Sequence, residues 1–321
     1  MTLLVTGGAG FIGSHLVDRL LAEGHRVVAV DNFELGRREN LAHLHGAPRF
    51  AFHELDVLNR SALDRLFAEA KFDAVFHLAA NSDIARGSTD PERDLRLTFH
   101  TTFETLDAMR RHGVGRVVFA SSSAIYGDRD ECLVEEAGPL QPVSLYGAAK
   151  LAGEAYLSAY VHAFGLQGWV CRFPNVVGER TTHGVVHDFI HRLREDPAKL
   201  RILGDGRQEK PYLYVRDLVD AMVFIFNQSS DSLNCFNIGV PGATTVTRIA
   251  QIVVEEMGLP GVAFEYTGGD RGWVGDVPRF QYDSSRLARL GWIAPRDSDA
   301  SVRLAIQRIL AAAPLSAPCK P

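Results

Sequence analysis

Residues 7–13 read Gly-Gly-Ala-Gly-Phe-Ile-Gly, and their flanks leave few options for the fold. Thr2 to Thr6 is a short apolar run with β-branched members, the pattern of a buried strand. From Phe11 to Leu21 the apolar residues Ile12, Leu16, Val17, Leu20 and Leu21 recur at helical spacing. Gly8, Gly10 and Gly13 fit G-x-G-x-x-G, and Gly7, Gly10 and Gly13 fit the wider G-x-x-G-x-x-G. Glycines there allow a tight turn, close approach of a phosphate to the backbone, and close packing of helix on strand. The helix N-terminus then faces the phosphate. A strand, this turn and a helix in sequence make a dinucleotide fingerprint, with Gly7, Gly10, Phe11, Ile12 and Gly13 at the pyrophosphate.

A second strand run, Arg26 to Val30, ends at Asp31, followed by Asn32. An acid at that strand end accepts bonds from the adenosine ribose hydroxyls and repels a 2′-phosphate, so NAD is expected rather than NADP. Arg37 and Arg38 lie downstream and offer a competing site for a 2′-phosphate, but Asp31 holds the strand end.

The first half of the chain alternates strand and helix signals. Strands are expected at 2–6, 26–31, 49–55, 73–78, 116–121 and 167–172, and helices at 11–23, 60–70, 91–113 and 146–164. Such alternation specifies an α/β fold, a Rossmann-type doubly wound parallel sheet, whose ligands bind at the carboxyl ends of the strands. Beyond residue 172 shorter helices, at about 185–194, 215–227, 246–256 and 300–311, are separated by Gly-, Pro- and Asp-rich loops. The expected division is a dinucleotide-binding domain over 1–172, a smaller C-terminal substrate-binding lobe over 173–312, and a disordered tail over 313–321.

The chain is 46% apolar and 23% charged, with a net charge of −5, which gives no reason to expect nucleic acid or an anionic membrane as partner. No apolar run is long enough to span a bilayer, and the first strand begins at once, so a cytoplasmic protein without a leader is expected. Cys132, Cys171, Cys235 and Cys319 form no C-x-x-C pair; free thiols and no metal site are expected.

Tyr146 and Lys150 stand four residues apart, on one face of a helix. A lysine ammonium near a phenol favours the phenolate, which can take a hydroxyl proton while hydride leaves the same carbon. The strand ending Val117-Val118-Phe119-Ala120-Ser121-Ser122-Ser123 supplies hydroxyls at the same sheet edge.

Five motifs then appear in order: the glycine loop, His77-Leu78-Ala79-Ala80, Ser121-Ser122-Ser123-Ala124-Ile125-Tyr126-Gly127, Tyr146-x-x-x-Lys150, and Arg172-Phe173-Pro174-Asn175-Val176-Val177-Gly178. Together they resemble the extended short-chain dehydrogenase/reductase family, in its NAD-dependent nucleotide-sugar epimerase/dehydratase group, over nearly the whole chain to about Trp292. The resemblance implies Tyr146 as base, Lys150 as its electrostatic partner on the nicotinamide ribose, and Ser122 as catalytic hydroxyl with Ser123 as rival. It also implies Ser121 and Pro174 beside the nicotinamide, Asp56 and Val57 at the adenine, and Leu78, Ala79 and Ala80 over the pyrophosphate and ribose.

For the substrate, the resemblance implies a nucleotide sugar. Asn175 would meet its diphosphate or hexose, Lys210 and Arg271 its diphosphate, Leu200 its base and Asp276 its ribose, and Tyr212 lies in the segment of Lys210. Asn81 follows a strand end, where it is placed to meet the hexose. The similar 4,6-dehydratases need an Asp-Glu pair where this chain has Ser123 and Ala124, so inversion at C4 of a UDP-hexose or its uronic acid is expected rather than elimination. The alternatives are a dehydrogenase or epimerase acting on another nucleotide or carbon, or a non-catalytic NAD-binding protein. Two positions depart from the pattern: Thr98 where an asparagine is usual, and Lys210 where an arginine is common. The helices near 91–113 and 146–164 match those that pair in family homodimers.

Overall fold

In the computed structural model the described residues are 1–312 except Ser88, Asp130, Trp273 and Val274, with no side chains described for Ala85 and Arg86. The tail expected at 313–321, and Cys319 within it, lie outside the described residues, as do Trp273 and Val274 of the segment from Arg271 to Asp276.

Seven parallel strands form the central sheet. They are β1 (Thr2–Thr6), β2 (Arg26–Asp31), β3 (Phe50–Glu54), β4 (Ala74–His77), β5 (Arg116–Ser122), β6 (Gln167–Phe173) and, after four short strands, β11 (Leu233–Asn237). Their order is β11-β6-β5-β4-β1-β2-β3. The chain thus runs outward from β1 to β3, returns to β4 on the other side of β1, and runs outward again. The crevice at the carboxyl ends of β1 and β4 is where such sheets bind ligands.

Both faces of the sheet are buried, which is why its strands read as apolar runs. Leu3 and Val5 of β1 face Leu16, Val17 and Leu20 of α1 (Phe11–Ala22) and Leu218 and Met222 of α8 (Val215–Gln228). Leu4 faces the other layer, with Leu63 of α2 (Arg60–Glu69), Leu106 and Met109 of α5 (Thr101–His112), and Leu157 of α6 (Leu145–Phe164). Each such leucine contributes roughly 1.5–3 kcal/mol through burial.

The C-terminal lobe has its own core. Phe189 and Ile190 of α7 (Val185–Glu195), Leu200 and Ile202 of β8 (Lys199–Ile202), Ile249 and Val253 of α9 (Val246–Met257), and Val302 and Ile306 of α11 (Ser298–Ala312) pack together. The lobe's remaining pairings are β7 (Asn175–Val177) with β10 (Tyr212–Tyr214), β9 (Glu209–Lys210) with β12 (Thr244–Thr245), and β8 with β13 (Ala263–Tyr266). The expected division at residue 172 is crossed by the sheet core: α8 covers α1, and β11 pairs with β6 from Leu233↔Gly168 to Asn237↔Arg172.

The helix expected at 91–113 is built in three parts. A first turn, α4 (Pro91–Asp94), runs into a π-helical stretch over Leu95–His100 and then into α5. Threonine hydroxyls donate to preceding carbonyls along it: Thr101 to Leu97 at 2.8 Å, Thr102 to Thr98 at 2.7 Å, and Thr105 to Thr101 at 2.8 Å. Hydroxyl back-bonding of this kind competes with the regular helical ladder. A short helix, α3 (Ile84–Gly87), precedes it, and α10 (Ser285–Leu290) lies late in the chain.

Candidate active site

At the carboxyl ends of the strands lies a cavity of about 830 Å³ that runs from the glycine turn to the C-terminal lobe. Gly7, Gly10, Phe11, Ile12 and Gly13 line one end, with Asp31, Asn32, Asp56 and Val57 beside them. Gly7 has φ +68°, a left-handed conformation that favours glycine. A Cβ on Gly13 would sit 2.1 Å from the Gly7 carbonyl oxygen, so a larger residue would force the turn open. A Cβ on Gly10 would meet only that carbonyl, at 3.1 Å, so the glycine leaves the cavity side of the turn clear for a phosphate.

Asp31 ties this end together. Its carboxylate accepts from Ala9 N at 3.0 Å and Phe33 N at 2.8 Å. Burial raises its pKa, while the backbone bonds from Phe33, Ala9 and Gly10 pull it down. Arg38, the competing anchor for a 2′-phosphate, is held elsewhere: it pairs with Glu54 at 2.6 Å and lies over the Phe33 ring.

The redox end is formed where β5 meets α6. Ser144, two residues before Tyr146, caps α6 by accepting from Gly147 N at 3.1 Å, which fixes the helix start at Leu145. Lys150 is buried and donates to the Ala120 carbonyl at 2.6 Å, with its ammonium 5.7 Å from the centroid of the Tyr146 ring. The Ser122 hydroxyl is close enough to the Tyr146 phenol to act on it and pull its pKa down, while its oxygen accepts from Ala124 N at 3.2 Å. Ser123 acts instead on the partly buried Tyr282, whose hydroxyl donates to the Phe173 carbonyl at 3.1 Å, so of the two rival serines it is Ser122 that acts on Tyr146. Ser121 lines the cavity, but its hydroxyl donates to Glu154, which is locked to Arg172 at 2.8 Å.

One electrostatic expectation needs correction. Burial pushes the Tyr146 phenol up to about 12, the Ser122 hydroxyl pulls it down, and the charge of Asp94 pushes it further up. Burial lowers Lys150 to about 7 against the opposing pull of Glu154 and Asp94. With the ammonium turned to Ala120, desolvation of both groups outweighs the lysine's expected favouring of the phenolate.

Leu78, Ala79, Ala80 and Pro174 line the cavity between these ends. Asn175, Lys210, Tyr212 and Asp276 line its far part, where Asn175 stands opposite Tyr212 in the β7–β10 pairing and Lys210 is paired with Asp276. Two expected substrate residues do not line it. Leu200 is fully buried in the lobe core, and Leu203, three residues on, reaches the cavity instead. Arg271 pairs with Asp128 at 2.6 Å and donates to the Asp276 carbonyl at 3.0 Å.

Asn81 lines the cavity, but its side chain is occupied. Its amide donates to Asp94 at 2.8 Å and to the Asp83 carbonyl at 3.0 Å, and its oxygen accepts from Asp83 N at 3.1 Å. Asp94, whose field acts on both Tyr146 and Lys150, is absent from the sequence reading. Four residues after Asp90 it looks like any first-turn helix acid, and only the packing buries it. Gln208 is a second omission: it lines the cavity, and its buried Oε1 has no hydrogen-bond partner. His183 and His187 line the rim, and His183 reaches the Ser82 carbonyl at 3.0 Å.

The sequence pattern of the NAD dependent epimerase/dehydratase family matches residues 3–239. The chain belongs to that family. Among relatives, it is 35% identical to UDP-glucose 4-epimerase of Mycolicibacterium smegmatis over 298 residues, 91% of this chain and 93% of that protein. The solved UDP-glucose 4-epimerase of Thermotoga maritima with UDP-glucose superposes with a TM-score of 0.88 at 31% identity, covering 97% of this chain and 99% of that one. The Thermus thermophilus UDP-glucose 4-epimerase complex with NAD gives 0.86 at 32% identity, covering 97% and 100%.

The clear space at Gly10, the tethered Asp31 and the single cavity joining them to Tyr146 and Lys150 fit the NAD on which the family depends. Among the described residues no helix is long and apolar enough to cross a membrane.

Proposed function

We propose that the protein is an NAD-dependent nucleotide-sugar 4-epimerase that inverts C4 of a UDP-hexose through a 4-keto sugar. The observation that carries this reading is that Ser122, Tyr146 and Lys150 meet in the dinucleotide cleft, the Lys150 ammonium 5.7 Å from the Tyr146 ring centroid, with Ser123 and Ala124 where elimination would need an acid and a base. The likeness to two solved UDP-glucose 4-epimerases supports the hexose and the nucleotide.

Tyr146, as phenolate, would take the proton of the sugar 4-hydroxyl, and Ser122 would hold that hydroxyl in line. Bound NAD supplies the hydride acceptor and later the donor, and its oxidised ring adds the positive charge that favours the phenolate. Lys150, fastened to the Ala120 carbonyl, keeps the helix that carries the base in place at the end of β5. Asn175, Lys210 and Tyr212 would anchor the diphosphate while the keto sugar turns its other face, with Asp276 at the ribose. Tyr146 then returns the proton to the oxygen. Gly7, Gly13, Asp31, Asp56 and Val57 would hold the adenosine and pyrophosphate.

The same reading makes the protein a cytoplasmic homodimer. Exposed Leu95, Leu145 and Tyr156, with Phe99 and Phe103 packed on the Tyr156 ring, form an apolar face on the helices expected to pair. Sedimentation is expected to give a dimer at micromolar protein, and a monomer alone would exclude it. Incubation with UDP-glucose tests the activity: appearance of UDP-galactose by NMR is expected, and an unchanged sugar across UDP-hexoses would reject the substrate assignment.

A further inference from the structure

We propose that Glu34 and Arg93, with Arg96 beside them, form a clasp across the dinucleotide cleft that slows the release of NAD. The inference rests on the family's use of NAD and concerns how long the cofactor stays.

The geometry follows from the strand order. β1 lies between β4 and β2, and the glycine turn rises from its carboxyl end. The loop after β2 stands on one side of that turn and carries Glu34. The connection after β4 stands on the other and leads into the helix that carries Arg93 and Arg96. Glu34 Oε1 lies 3.2 Å from Arg93 Nη2 and 3.8 Å from Arg96 Nη2. Because one partner comes from each side, the bridge joins the two walls that flank the glycine turn. Glu34, Leu35 and Gly36 line the cavity from one wall, and Asn81, Ser82 and Asp83 line it from the other.

Both feet of the bridge are held. On the β2 side, Asn32 accepts from Glu34 N at 3.0 Å and Asp31 accepts from Phe33 N at 2.8 Å. On the β4 side, Arg93 Nε donates to Asn81 Oδ1 at 3.4 Å, and Asn81 is fixed to Asp94 at 2.8 Å. Arg93 and Glu34 keep 17% and 30% of their side-chain surface, so the bridge is partly sheltered but still reached by water.

An epimerase that regenerates its oxidant in every turnover gains nothing from cofactor exchange, and a bridge over the cleft adds a step to it. The pair is open enough to water for salt to screen it, so its effect is modest and depends on ionic strength.

The test loads the purified enzyme with a fluorescent etheno analogue of NAD, chases with excess NAD, and follows release by stopped flow at low and high salt. Glu34→Gln is expected to release about two- to fivefold faster than the wild type at low salt, the size expected for a partly exposed ion pair. Salt should speed wild-type release and change that of Glu34→Gln far less. The double variant Glu34→Gln/Arg93→Gln should release no faster than the more affected single variant, because both remove one bridge. Arg96→Gln should give a smaller increase of the same sign. Wild-type release rates and salt dependence in Glu34→Gln would overturn the clasp while leaving NAD binding in place. A wild-type protein that takes up no NAD would remove the cofactor and the clasp together.

Discussion

Lys150 donates its ammonium to the carbonyl of Ala120 at 2.6 Å, fastening α6 to the end of β5 where both enter the cleft. The bond sets the distance between the serine strand and the tyrosine helix. Lys150→Ala should therefore loosen the β5–α6 junction as well as remove a charge, and both turnover and thermal stability should fall. Lys150→Met, which keeps the length but not the donor, should lose turnover while regaining part of the packing. Calorimetry alongside kinetics separates the two effects.

Tyr146→Phe keeps the ring and removes the phenol oxygen. Turnover should drop by about 10²- to 10⁴-fold, the usual worth of a positioned acid–base group. NAD content, measured after denaturation, should match the wild type, because no cofactor-end residue is disturbed. Retained turnover would exclude Tyr146 as the base.

The two serines should separate. Ser122 acts on the Tyr146 phenol and Ser123 on that of Tyr282. Ser122→Ala should cost about a hundredfold in turnover, as removal of one catalytic hydrogen-bonding group does. Ser123→Ala should cost far less, and stability should change little, since the Tyr282 hydroxyl keeps its bond to the Phe173 carbonyl. The reverse ranking in steady-state kinetics would transfer the catalytic hydroxyl to Ser123.

Gly13→Ala places a methyl carbon 2.1 Å from the Gly7 oxygen. Relief requires the turn to open, at a cost of roughly 1–3 kcal/mol in stability, and cofactor binding should be lost with it. Calorimetric titration with NAD measures the outcome.

His77 carries a pH dependence of stability. It is buried, accepts or donates at Thr6 and Thr102, and burial holds its pKa down to about 3. Its pKa is lower folded than unfolded, so the unfolded chain binds more protons between about 3 and the ordinary histidine value of 6.5. The stabilisation is complete above that window and is lost as pH falls through it. Urea unfolding at successive pH values should show stability falling below pH 6.5, and the His77 ring signals should not titrate between pH 6 and 8.

The motif-bearing elements were legible because each is a strand end followed by a helix start. β1, β2 and the glycine turn, and β5, Ser144 and Tyr146, all carry local signals of period, cap and turn. β11 was not legible: Leu-Asn-Cys-Phe-Asn is short and mixed, and only its pairing with β6 makes it part of the sheet. The π-helical stretch was hidden for a related reason, since threonine back-bonding alters a ladder whose apolar spacing still looks helical. Leu200 and Arg271 failed as cavity residues because motif position gives chain order but not side-chain direction. Leu200 points into the lobe core, and Arg271 is taken by Asp128. Asn81 reached the cavity wall with its amide already committed to Asp94, a partnership set by packing between two separate segments.

The most direct measurement is anaerobic incubation of the NAD-loaded enzyme with UDP-, dTDP-, GDP- and CDP-sugars, followed by product NMR and by the near-ultraviolet absorbance of reduced nicotinamide. A C4-inverted UDP-hexose without net NADH is the expected result. An oxidised sugar with stoichiometric NADH would contradict the closed redox cycle and make the protein a dehydrogenase.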